Sequence, residues 1–128
     1  MTPWFFLLAA AVCEMVWPIG AKATHGFKDN YPIMGLTFAV MILSFWLMSR
    51  SIDPQKPGHI PVGTAYAVWT ALGTAGTALL GMALYKEPHD FARILCLSLI
   101  ITGVVGLKLL ARAEAPAAAT ATEERPVQ

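Results

Sequence analysis

Residues 4–21 read Trp4-Phe-Phe-Leu-Leu-Ala-Ala-Ala-Val-Cys-Glu14-Met-Val-Trp17-Pro18-Ile-Gly-Ala21, an apolar run broken by one charged residue. A helix needs about 20 mostly apolar residues to cross the hydrocarbon of a bilayer. This segment is long enough. Lipid offers no partner for a bare backbone amide, so helix is the only state expected of it. A cleaved leader would carry a basic residue ahead of the run and no acid inside it. Here no basic residue precedes Trp4, and Glu14 stands in the middle.

Three further segments follow the same reading, roughly 32–48, 61–84 and 91–111. The links between them carry breakers: Gly26 and Asn30, then Pro54, Pro57 and Gly58, then Pro88. Pro3, Pro32 and Pro61 fall where the first turn of a helix accepts proline. The expectation is an all-α membrane protein with four transmembrane helices in a domain spanning 1–112. Residues 113–128, rich in Ala, Thr, Pro and Glu, read as a disordered tail.

Composition points the same way. Hydrophobic residues make up 56% of the 128 and charged residues 13%. A soluble domain carries roughly twice that charge. The net charge of +1 gives no basic field for nucleic acid. Cys13 and Cys96 lie in apolar segments and read as small buried hydrophobes. His25, His59 and His89 all fall in links and read as solvated or capping residues. With no nucleophile–base pair and no metal-ligand spacing, neither enzyme chemistry nor a cofactor is expected.

Lys and Arg near helix ends orient a membrane protein. One side receives Lys22, Lys28, Lys86 and Arg93, the other Arg50, Lys56, Lys108 and Arg112. Setting aside distal Arg125, the balance is four against four. Either a further factor fixes one orientation, or the chain inserts both ways and pairs with its inverted copy. Four helices also make a thin bundle, so an aqueous path needs walls from a second subunit. Gly73, Gly76, Gly81, Gly103 and Gly106 supply small surfaces for helix association.

An acid in mid-membrane generally faces a cavity or a partner and marks a pathway. No other acid or base lies as deep as Glu14; Lys22 and Lys108 read as anchors near helix ends. Ala10, Ala11 and Trp17 share its helix face by spacing. On the third segment Tyr66, Trp69, Thr70, Gly73 and Thr77 form a stripe, and Ser44 sits mid-way along the second. A carboxylate with aromatic faces and hydroxyls suits a small cation. Burial disfavours the charged form of any carboxylate, so protons and a cation compete for one site. That competition couples the two fluxes if the site opens to one side at a time.

At these residues the chain resembles the small multidrug resistance family, over nearly all of residues 3–111. The resemblance is carried by Glu14-Met15-Val16-Trp17, Lys22 and Thr24-His25-Gly26-Phe27. Further along it is carried by Pro61-Val62-Gly63-Thr64-Ala65-Tyr66-Ala67-Val68-Trp69-Thr70, Lys86-Glu87-Pro88 and Gly103-Val104-Val105-Gly106-Leu107-Lys108. Trp17 marks the guanidinium-exporter branch, since the quaternary-ammonium branch usually has glycine there. The resemblance implies an antiparallel, dual-topology homodimer in the bacterial inner membrane that exchanges protons for a guanidinium-type cation. It implies that Glu14 binds substrate and proton and that Trp17, Ser44, Tyr66 and Trp69 line or order the site. Export of bulky quaternary ammonium ions is the alternative within the class; a passive channel or a structural subunit is the alternative outside it.

Two departures stand out. The link Ser51–His59 is longer than usual and holds Pro54 and Pro57. Pro18 replaces the usual alanine. It has no amide to bond the carbonyl of Glu14, four residues earlier, so it frees an acceptor at the site and is a candidate specificity modifier.

Overall fold

The computed structural model describes residues 2–123. Four helices follow in order: α1 Pro3–Ala23, α2 Tyr31–Ser51, α3 Val62–Tyr85 and α4 Phe91–Glu123. All four hold a stretch long and apolar enough to cross a membrane, which in α4 ends at Ala111. The 21 residues of α1 rise about 31 Å, the thickness of a hydrocarbon core.

The helix ends follow local chemistry. Pro3 and Pro32 occupy first turns, as expected. Pro61 instead sits just outside α3 as its N-cap, with extended backbone. α2 runs three residues beyond the expected limit, and in its last turn Ser49 and Ser51 donate to the Trp46 and Met48 carbonyls at 2.7 Å each. α1 ends at Thr24, whose hydroxyl lies 3.0 Å from the Gly20 carbonyl and whose side-chain oxygen accepts from the Phe27 amide at 3.2 Å. The chain then reverses through left-handed His25, Gly26 and Phe27, and Phe27 stacks on Phe38 of α2. The apolar span of α4 passes without a break into the alanine-rich stretch, helical to Glu123. That differs from the unstructured tail expected from residue 113. Alanine is the best helix former, and a preceding helix removes the cost of nucleation. Residues 124–128 lie outside the described residues.

α1 is the central element, packed on both α2 and α3, while the α4 backbone lies beside α3 alone among the described residues. Leu7, Ala10 and Ala11 of α1 form the core with Ala65, Val68 and Trp69 of α3 and Val104 of α4. Outside it the spans remain bare: Leu95, Leu99, Val105 and Leu109 of α4 are all exposed. A water-soluble fold of this size does not leave so much apolar surface uncovered.

Glycines set the close approaches. A Cβ added at Gly20 would overlap the Thr37 hydroxyl of α2 and sit 2.9 Å from its methyl. Thr37 is buried and its hydroxyl donates to the Ile33 carbonyl at 2.8 Å, so it cannot easily swing away. Gly20→Ala is therefore expected to destabilise the α1–α2 pair by about 1–3 kcal/mol. Thermal unfolding in detergent checks this, and Thr37→Ala added to Gly20→Ala recovers most of the loss. Gly73 and Gly76 take Glu14 and Met15 of α1 against their bare backbone. Gly103 and Gly106 have nothing within 4 Å of an added Cβ, so among the described residues no neighbour requires glycine there.

Candidate functional site

Glu14 projects from the centre of α1 toward α3, half-buried, and its carboxylate reaches a cavity of about 490 Å³ between these helices. Both carboxylate oxygens are held. Oε1 accepts from Trp17 Nε1 at 2.9 Å, a contact that three-residue helical spacing makes local. Oε2 lies 3.3 Å from Ser44 Oγ of α2. Ser44 is fully buried, and its oxygen accepts from Trp69 Nε1 at 3.1 Å. The same hydroxyl lies 2.8 Å from the Ala10 carbonyl. A serine has one hydroxyl hydrogen, so Ala10 and Glu14 compete for it, and the shorter distance favours Ala10. Glu14 Oε2 is thus the less satisfied of the two oxygens.

Trp17, Ser44 and Trp69 are therefore gathered around Glu14. Tyr66 is not. Its ring lies tilted on Trp69 with centroids 5.6 Å apart, and it is 56% exposed, against 4% for Trp69. Thr70, Gly73 and Thr77 line the cavity as the stripe suggests, and Pro18 lines it from α1. Ala10 and Ala11 do not make room beside the carboxylate. They are buried where α1 meets its neighbours, and Ala10 contributes only its carbonyl.

At the outer end of the same cavity lies a cluster that the sequence reading missed. Lys22 Nζ is 2.9 Å from Glu87 Oε1 and 3.9 Å from the centre of the Tyr85 ring. Arg93 Nη2 is 3.1 Å from Glu87 Oε2. Lys22 is more than an anchor, whereas Lys108 does lie over the Trp4 ring at 5.5 Å. The hydrogen bond and charge of Lys22, and then those of Arg93, hold the Glu87 carboxyl below the usual carboxylate range. Glu87 is thus ionised at neutral pH. The signal in the sequence is an acid flanked by Lys86 and Pro88 in the short link between the last two spans, with Arg93 six residues on.

The profile described as "Small Multidrug Resistance protein" matches residues 2–100. The chain belongs to the small multidrug resistance family. A protein of Citrobacter freundii named guanidinium exporter is 45% identical over 106 residues, covering 83% of this chain and 95% of its own length. Proteins of the same name from Salmonella typhimurium strain LT2 and Yersinia pestis are 43% and 42% identical, each covering more than 80% of this chain and more than 95% of their own length. With its four spans, this member of the small multidrug resistance family is a multi-pass protein of the bacterial inner membrane and a transporter, not an enzyme.

Proposed function

We propose that the protein exports guanidinium or small substituted guanidinium cations in exchange for protons, working as an antiparallel dimer of identical chains. One observation carries this reading. Glu14 is a mid-membrane carboxylate held at one oxygen by the Trp17 indole, its other oxygen near the Ser44 hydroxyl, and it lines a cavity. Guanidinium is planar and forked, and it suits carboxylate acceptors in the way an arginine head does. A proton on Glu14 removes the charge the cation needs, and a bound cation blocks the proton. Alternating exposure of that one site then yields exchange. The names of the relatives support guanidinium as the cargo.

The dimer follows from what one chain lacks. The cavity beside Glu14 is walled by α1 and α3 and closed at its outer end by Glu87 and Arg93, while much of the rest of α4, with Gly103 and Gly106, stays bare. The even split of basic residues permits both insertions. Trp17 favours a small planar cation over a bulky quaternary one, because its indole occupies the space directly beside the carboxylate.

Reconstituted vesicles test the reading. A guanidinium gradient is expected to drive protons the opposite way in a fixed ratio. Guanidinium that runs down its gradient without moving protons would establish a channel, and preferred uptake of tetraethylammonium would establish the bulky-cation alternative. Pro18 sets a second expectation. With no amide at residue 18, the Glu14 carbonyl stays available beside the cavity that Pro18 lines. Pro18→Ala is expected to lower the transport of phenylguanidinium relative to guanidinium about threefold or more, on the scale of one lost hydrogen bond. An unchanged ratio removes the role for Pro18.

A further inference from the structure

The protein already holds a guanidinium group, its own. The two terminal nitrogens of Arg93 each meet an acceptor: Nη2 lies 3.1 Å from Glu87 Oε2, and Nη1 lies 2.9 Å from the Pro88 carbonyl. A free guanidinium ion presents the same fork to the same two acceptors. Glu87 and Arg93 themselves line the outer end of the cavity that contains Glu14. We propose that Glu87 is a second cation site, a staging site where an incoming guanidinium displaces the side chain of Arg93 before passing to Glu14. This rests on the guanidinium-export reading and adds a site to it.

Three features make the cluster a receptor rather than a casual ion pair. Glu87 is seated on bare backbone, since a Cβ at Gly81 would come within 2.9 Å of its Oε2. The carboxylate position is therefore set by the close of α3 and not by its cationic partners alone. The Tyr85 ring, which carries the Lys22 ammonium at 3.9 Å, adds an aromatic face that attracts any cation passing the mouth. The side chains of Arg93 and Glu87 are 38% and 31% exposed, so water and solutes reach the pair and the contact exchanges readily. Glu87 keeps its charge at neutral pH and so holds cations without carrying protons, unlike the role given to Glu14.

Arg93 acts as a tethered competitor. A short flexible tether presents its group at an effective concentration in the millimolar range. Removing it uncovers the site. The first test uses the full chain carrying Glu14→Gln, which silences the central site, with carbon-13 labels on the glutamate carboxyls. Guanidinium chloride is titrated, with sodium chloride as the control. The Glu87 signal is expected to shift with guanidinium alone. Half-saturation is expected to fall at least threefold when Arg93→Ala is added. A Glu87 signal that ignores guanidinium, that follows sodium equally, or that is indifferent to Arg93→Ala overturns the site.

A second measurement does not depend on the Glu14→Gln background. In vesicles, Glu87→Gln is expected to raise the half-saturating guanidinium concentration at least threefold, by more than any fall in maximal rate. If the unmodified protein moves no guanidinium, the export reading fails. If flux is normal and half-saturation is the same in Glu87→Gln, the staging site alone fails. A mere structural tether between Lys22 and the α3–α4 link alters the unfolding midpoint in these variants but leaves guanidinium half-saturation alone.

Discussion

Glu14→Gln is expected to abolish proton-coupled guanidinium flux, lowering it more than a hundredfold. Glutamine keeps the size of the side chain, and its carbonyl oxygen still accepts from the Trp17 indole now 2.9 Å away. The neighbours Ser44 and Trp69 keep their own bond at 3.1 Å. What disappears is the charge. Removing one partner of a desolvated ion pair costs about 3–5 kcal/mol, which is roughly a hundredfold to several thousandfold in occupancy. The proton partner is lost in the same step, because an amide does not titrate. Glu14→Asp separates the two contributions: it restores charge and titration at a position one methylene short, and coupled flux is expected to return at a reduced rate. Flux assays in vesicles with an imposed pH gradient measure both variants. Coupled flux above a tenth of normal in Glu14→Gln would end the mechanism.

Much of this was legible from the chain, for physical reasons that differ by residue. The four spans could be read because hydrocarbon demands a run of apolar residues of fixed length, and no soluble fold imitates that. Glu14 could be read because one acid among apolar neighbours is costly. Trp17 follows from spacing within a single helix. Ser44 and Trp69 are different. Ser44 meets Glu14 across 30 residues and Trp69 meets Ser44 across 25, and only the packing of α1 against α2 and α3 brings them together. No periodicity encodes that packing, and the family resemblance supplied it. Tyr66 shows the limit of reading a stripe. It shares a helix face with Gly73, but seven residues separate them by about 10 Å along the axis. Gly73 touches Glu14, so Tyr66 is on the right face at the wrong depth within its own chain. The Lys22–Glu87 pair spans 65 residues, and a lysine at a helix end looks the same in sequence whether it snorkels or pairs. Beyond Ala111 composition and helix propensity point different ways: the Ala-, Thr-, Pro- and Glu-rich stretch resembles a tail, while its alanines favour the helix that runs to Glu123.

Gly73→Ala is the second large effect, and it tests the geometry rather than the chemistry. A Cβ on Gly73 would stand 2.6 Å from Glu14 Cγ and 3.1 Å from Glu14 Cβ. These atoms sit close to the backbone of α1, so a small rotation of the carboxylate does not relieve the overlap. Either the glutamate leaves its rotamer, or α1 and α3 move apart. The first breaks the Trp17 bond and moves Oε2 off Ser44; the second opens the core at Ala11, Ala65 and Val68. Overpacking of this kind costs about 1–3 kcal/mol, and misplacing a reactive group by about 1 Å can cost 10²-fold in rate. Guanidinium flux is therefore expected to fall at least tenfold while the protein still reconstitutes. Two neighbours calibrate the result. Gly76→Ala meets the side chain of Met15, flexible out to its thioether, so a milder loss is expected there. Gly63→Ala has nothing within 4 Å of the added carbon and is expected to leave flux unchanged. If Gly73→Ala transports within twofold of the unmodified protein, Glu14 does not rest against α3 in the transporting state, and the site must be assembled from other walls.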